Sequence, residues 1–355
     1  MFGRALGDLT VWTMGDNTYG QLGDGTITQR TSPTAVLANT VNFASAGVGD
    51  YHCVVCVNGK LYTFGRNQGG QLGDGTILSR SVATQVGTAT DWGMVSGGNA
   101  SSFALKAGAL YSCGGNAQGI LGIGNRTSMS VPTQVGARTD WTWIGAGALS
   151  VVGITAGRLF AWGAGGYWSL GQGNQTNYSS PVQVGAAVGW TRCAHGENHM
   201  LAINNGTLYA CGINAYGELG DGTITTRSAL VFVGAESDWT ACAAGYRFSL
   251  GIRQGKLYAW GDNTMGQLGI GNRTHMSVPT QVGALTNWTS VMLGADGGIY
   301  GGSFGVESGR LFVWGNNSNG QLGLGNTTNY SSPVQIGTAN NWSFGVGSYL
   351  HSIAR

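Results

Sequence analysis

The sequence predicts an all-β protein, a seven-bladed β-propeller of four-stranded antiparallel blades in a single domain over residues 1–355. Three observations predict it. A period of about 49 residues runs through the chain. Short apolar pieces alternate with turns rich in Gly and Asn. No window sustains the i, i+3, i+4, i+7 apolar spacing of a helix.

The period is read first, because a repeat sets the architecture. GQLG occurs at Gly20, Gly70, Gly266 and Gly320, with the variants GILG at Gly119, WSLG at Trp168 and GELG at Gly217. Its leucines, Leu22, Leu72, Leu121, Leu170, Leu219, Leu268 and Leu322, are spaced 50, 49, 49, 49, 49 and 54 residues apart. Phe43, Trp92, Trp141, Trp190, Trp239, Trp288 and Trp342 form a second column in the same register. A one-residue insertion therefore lies between Leu22 and Phe43, and a five-residue insertion near Leu293–Gly301.

Each period holds four strand-like pieces, for example at Trp190–Ala194, His199–Ile203, Leu208–Gly212 and Val182–Gly185. Four strands in every 40–50 residues is the pattern of a propeller, where each blade buries its faces against two neighbours. The chain ends continue the register. His351–Arg355 aligns with His199–Ile203, and Gly7 onward aligns with Asn204 onward. The ring is thus cut inside a blade, and the two chain ends share it, which leaves no open edge at the seam. On this reading Met1–Leu6 is dispensable and Leu9–Met14 completes the seam.

Composition excludes several functions. Seventeen Lys and Arg stand against fifteen Asp and Glu, and charged residues make up only 9% of the chain. A net charge of +2 offers no electrostatic footprint for nucleic acid. Hydrophobic content of 42% excludes disorder. No apolar run reaches the ~18 residues that cross a membrane. The 65 glycines do not fall on every third residue, which excludes collagen. The N-terminus lacks the apolar core of a secretion signal, so a cytoplasmic or virus-particle location is expected. The eleven Asn-x-Ser/Thr sequons then reflect loop composition rather than glycosylation.

The segments GDNTYGQLGDG at Gly15–Gly25, GDNTMGQLGIG at Gly261–Gly271 and GNNSNGQLGLG at Gly315–Gly325 are followed by P-x-x-V-G, Trp, G-x-x-H and L-Y-x-W-G patterns. This succession resembles the regulator-of-chromosome-condensation repeat family along essentially the whole chain. The resemblance implies a propeller scaffold. In that family it serves guanine-nucleotide exchange on Ran, ultraviolet-B sensing in plants, enzyme inhibition and bacterial effectors. The exchange factor's protruding β-wedge and charged face have no counterpart here. The photoreceptor's Gly-Trp-Arg-His-Thr motif does not occur.

Catalytic and metal chemistry find little footing. His52, His199 and His351 share one repeat slot and read as hydrogen-bonded structural residues. His195 and His199 would share a face only on a helix, and Gly196 between them argues for a turn. Cys113 and Cys211 fill the slot of Trp162 and Trp260, so buried thiols are expected. Cys53 and Cys56 lie in a strand-like run, a poor redox context. No P-loop or nucleophile elbow appears. The expectation is no enzyme, no cofactor, no metal and no disulfide.

The turns after the leucines fall into three types. Type one is DGTITQR, DGTILSR and DGTITTR at Asp24, Asp74 and Asp221. Type two is IGNRTSMSVPTQVGA at Ile123 and IGNRTHMSVPTQVGA at Ile270. Type three is QTNYSSPVQVG at Gln175 and TTNYSSPVQIG at Thr327. The chain order one, one, two, three, one, two, three points to a duplicated three-blade unit. Two accounts fit the near-identity, duplication with little divergence or a repeated ligand site.

Blade four departs from the repeat. Trp168 stands where glycine is usual, and Gly165 where Asn17 and Asn263 stand. Exposed aromatics on loops are binding anchors. The candidate ligand-binding residues are Tyr167 and Trp168, then Tyr178 and Tyr330 at equivalent turn positions, and Tyr19 and Tyr216 in the slot of Tyr167. The functional expectation is a non-enzymatic recognition or scaffold propeller that binds a protein or glycan partner through its loops. It would be a surface adhesin or a virus-particle tail or appendage component in a larger assembly. The alternative is an intracellular guanine-nucleotide exchange or regulatory factor for a small GTPase.

Overall fold

The computed structural model describes residues 10–38, 40, 42–293, 301–348 and 350–355. Twenty-eight strands form seven antiparallel four-stranded sheets arranged as a ring, and no helix occurs among the described residues. Blade 1 is the seam. From the channel outward its strands are Gly345–Gly347, His351–Ala354, Val11–Gly15 and Arg30–Leu37. The strand Val11–Gly15 pairs with both chain halves, Trp12 with Ala354 on one side and Thr13 with Thr34 on the other. Blades 2 to 7 follow in chain order. Blade 5, for instance, is Trp190–His195, His199–Asn204, Thr207–Gly212 and Arg227–Phe232. Met1–Leu6 and most of the five-residue insertion lie outside the described residues.

The structure places one strand differently from the sequence expectation. The piece at Val182–Gly185 is not a strand of the blade that begins at Trp190. It overlaps the end of Tyr178–Gln183, the outer strand of blade 4. The segment NYSSPVQ reads as a turn because it holds a proline, yet an outer strand tolerates one. All five prolines lie in outer strands, at Pro33, Pro132, Pro181, Pro279 and Pro333. Each falls where the ladder to the third strand skips, as between Ala161 opposite Val182 and Gly163 opposite Tyr178. A proline there sacrifices no ladder hydrogen bond and blunts the exposed edge.

The core lies between blades. Trp162, Trp260 and Trp314 are fully buried in the third strands. Each indole Nε1 donates to a carbonyl in the GQLG-type turn of the preceding blade, Ile120, Glu218 and Gln267 respectively, at 2.8–2.9 Å. The recurring Trp column therefore joins blades by burial and by a directional bond. Cys113 and Cys211 take the same slot as buried free thiols.

In six of the seven blades the long loop after the third strand is pinned by one buried asparagine. Asn17 Oδ1 accepts from Leu22 N at 2.9 Å, and its Nδ2 donates to the carbonyls of Thr26 and Thr28. Asn67, Asn116, Asn214, Asn263 and Asn317 also accept the bond from the turn leucine. The G-x-N-x-x-G-Q-L-G pattern thus records a side-chain latch, with Asn chosen because it both donates and accepts.

Candidate functional face

The antiparallel order places the long loops and the turns between first and second strands on one face of the ring. Tyr19 belongs to the long loop of blade 1 and Tyr51 to the inner turn of blade 2, and their rings meet edge-on at 5.0 Å. The Arg66 guanidinium lies 5.3 Å and 5.6 Å from the two ring centres. A second cluster repeats the chemistry, with Tyr216 in the slot of Tyr19 and its other members from different slots. Arg247 lies 4.9 Å from the Tyr216 ring and 4.7 Å from the Tyr246 ring. It also donates to both hydroxyls, at 3.1 Å and 3.2 Å. His275 of blade 6 meets Tyr216 edge-on at 5.3 Å. These guanidiniums are held rigid over aromatic faces, an arrangement that lowers the entropy cost of meeting a partner.

Glu197 occupies the inner turn of blade 5, half-buried. Its Oε2 accepts from Asn198 Nδ2 at 2.7 Å. Burial pushes its carboxyl up to about 7; Arg247 opposes the rise, Asp50 adds to it, and a hydrogen bond from Tyr246 opposes it. The face therefore carries a group that changes charge near neutral pH.

Blade 4 is rebuilt locally. Gly165 stands where the other six blades hold the latch asparagine, and a Cβ there would collide with the Thr176 carbonyl. The loop has closed over the missing side chain. Trp168 adopts φ 62, whereas the equivalent glycines have φ between 69 and 83. A bulky residue in the left-handed region is strained, by about 1–2 kcal/mol. The strain is visible in the bonds. Gly171 N to Trp168 O is 3.5 Å, against 3.0 Å for Gly122 N to Gly119 O. Trp168 is half-buried, Tyr167 is 50% exposed, and Leu149 on the adjacent inner turn is 45% exposed. These are large apolar side chains left partly or largely exposed on the loop side of blade 4.

Tyr178 and Tyr330 stand apart from that face. They open outer strands rather than turns, and each packs partly buried between two blade cores. Their hydroxyls accept from Asn174 and Asn326 Nδ2 at 3.1 Å and 3.0 Å. They belong to a packing set that explains the three loop types. Type one pairs Asp74 with Thr76 and Arg80, type two sets Ile123 and Met129 against a core cluster, and type three joins Asn174 to Tyr178. Ion pair, aliphatic contact and Asn–Tyr bond are three fillings of one site. The shared segments therefore have a packing reason that needs no ligand.

Tyr51, Arg66, Glu197, Tyr246 and Arg247 were missed in the sequence. Each breaks its repeat column: Arg247 shares a slot with Tyr51, Ala100, Leu149 and Asn198. Non-repeating residues in repeating slots were the available signal. Among the described residues no group of three or more metal-ligating side chains assembles, and no helix is long and apolar enough to cross a membrane.

The pattern of the regulator of chromosome condensation (RCC1) repeat matches residues 10–56, 58–105, 107–154, 156–203, 254–299 and 308–349. The fold is similar to that of Prp20p from Saccharomyces cerevisiae, with a TM-score of 0.82 and 21% identity over 99% of this chain and 92% of that one. Human WBSCR16 is similar with a TM-score of 0.86 and 20% identity, over 99% of this chain and 98% of that one. No curated protein sequence matches the chain.

Proposed function

Because the chain belongs to the regulator of chromosome condensation (RCC1) repeat family, we propose that it is a non-catalytic propeller that binds a protein partner through its long-loop face, in a regulatory or scaffolding role. The observation that carries this reading is the pair of Tyr–Arg–Tyr clusters. Tyr and Arg are the residue types that dominate protein interfaces. The strained Trp168 supplies a third anchor on the same face. A regulatory partner of the small-GTPase kind takes support from Prp20p, which is described by its binding to Gsp1p and histones. The adhesin, virus-particle and glycan readings have no comparable support and are set aside.

The test is capture by a nucleotide-free small GTPase alongside a glycan array, with wild type and Arg247→Ala. Capture that Arg247→Ala weakens by ~10-fold or more, a loss of one hot spot, is expected. Glycan binding with no protein capture would overturn the reading.

A further inference from the structure

The inner strands enclose a central cavity of about 280 Å³. Half of its lining residues are Gly, Ala or Val; Met94, Trp143, Cys242 and Met292 add apolar bulk, and Ser96, Thr240, Thr289 and Ser290 add hydroxyls. Arg192, third residue of the inner strand of blade 5, is the one residue with a permanent charge among the described lining residues. Its guanidinium lies 4.4 Å from the centre of the Trp143 ring. That indole is itself fixed across the blade interface, because Nε1 donates to the Cys193 carbonyl at 2.7 Å. Arg192 Nη1 donates to the Thr191 carbonyl at 2.9 Å, which spends only part of its five-donor fork. No acidic side chain pairs with Arg192 among the described residues, and none lines the cavity. The Cys242 thiol is partly exposed in the wall and feels the charge: burial pushes it up to about 12, and Arg192 opposes that rise.

Some of the other cations over aromatic rings have acids beside them. Arg253 pairs with Glu236 and Asp238, and Lys106 with Asp91. Arg192 has no such partner among the described residues, and it faces the central cavity. An apolar cavity with one convergent charged donor set is the usual form of a small-ligand site. We infer that the channel binds a slender monoanion, a carboxylate with an unbranched apolar tail, whose head is held by Arg192 against Trp143 and whose tail lies along the Met and Cys wall. The site lies inside the ring, so it stands independently of the partner face.

Octanoate is the probe, titrated into the full chain by calorimetry, with 1-octanol as the uncharged counterpart. Octanoate is expected to bind and to slow alkylation of Cys242. Octanol is expected to bind at least ~10-fold more weakly, because a charge-assisted contact is missing. Arg192→Gln should remove the difference between the two ligands, and Arg192→Lys should restore part of it. Arg192 is exposed, so both variants should keep the wild-type melting curve. No octanoate binding, equal binding of octanoate and octanol, or binding that leaves Cys242 alkylation unchanged would each overturn the inference.

Discussion

His199 Nε2 in blade 5 lies 2.9 Å from Ser249 Oγ in blade 6, and that hydroxyl donates onward to the Glu218 carbonyl at 2.8 Å. His52 and Ser102 repeat the relay at 3.0 Å, ending on the Gln71 carbonyl. At the seam the relay is broken. His351 occupies the histidine slot, but Cys53 stands where serine would be, and its thiol reaches the Gln21 carbonyl at 3.4 Å. His351 Nε2 is buried with no hydrogen-bond partner. Cys53→Ser should therefore stabilise the fold by about 0.5–1.5 kcal/mol, the net worth of one restored hydrogen bond. The reverse change, Ser249→Cys, should cost a similar amount. Urea midpoints for the two variants check this; a Cys53→Ser midpoint at or below wild type would refute the relay.

The same histidines make stability depend on acid. Burial lowers His52 to about 3, with the nearby His351 adding to the effect. Burial lowers His199 to about 3 and His351 to about 4. Unfolded histidine titrates near 6.5. Between those values the unfolded chain binds the protons, so stability is full above about pH 6.5 and falls as pH drops toward 3–4. Glu197 acts in the opposite sense. Its carboxyl is raised to about 7, so its contribution is present below about 4.5 and is lost as pH rises through 7. Denaturation midpoints from pH 8 to 4 should fall on the acid side, and Glu197→Gln should steepen that fall. A flat profile would show that the imidazoles are hydrated in the folded state.

Trp168→Gly should raise stability by about 1–2 kcal/mol, because it returns the turn to the residue its backbone conformation favours. It should also weaken partner capture. Tyr178→Ala should behave differently. It removes a ring packed between two blade cores and one of the hydrogen bonds of the Asn174 amide, at a cost of ~2–4 kcal/mol. Melting both variants separates anchor from packing. If Trp168→Gly melts lower than wild type, the indole is needed for folding.

The fold was legible because period and slot survive in residues with strict geometric duties. Gly20 and the five other glycines in its slot leave no room for a Cβ, and the buried Asn17 latch has no substitute of equal chemistry. The outer strands were less legible. Pro181 and the polar Ser179 and Ser180 carry a turn composition, and only their position at a sheet edge makes them a strand. Part of the candidate face was read from Tyr19, Tyr167 and Tyr216. The rest could not be, since Tyr51 meets Tyr19, and Arg247 meets Tyr216, only through the spatial neighbourhood of two blades.

Loop type should resist single substitution. In blade 2, burial alone would raise the Asp74 carboxyl, but the Thr76 and Arg80 hydrogen bonds hold it below its usual range. Arg80→Met removes the cation and leaves a carboxylate almost enclosed, at a cost of ~1–3 kcal/mol. The triple change Asp74→Ile, Thr76→Asn and Arg80→Met installs the aliphatic filling and should recover most of that loss. Thermal melts of the single and triple variants decide it; a triple variant no better than Arg80→Met would show that the fillings are not interchangeable.

The three fillings also constrain how such a chain can change over time. Each is a local optimum that three positions reach together, and the intermediates between optima carry an orphaned charge or an unfilled gap. Drift by point changes is therefore trapped, while recombination that copies a whole loop crosses the valley in one step. Blades 3 and 6, and likewise blades 4 and 7, can stay alike at Ile123 and Ile270 or at Tyr178 and Tyr330 long after their exposed positions diverge. Resemblance between those loops is thus a poor clock for the age of the repeat, because selection against the half-changed states keeps it fresh.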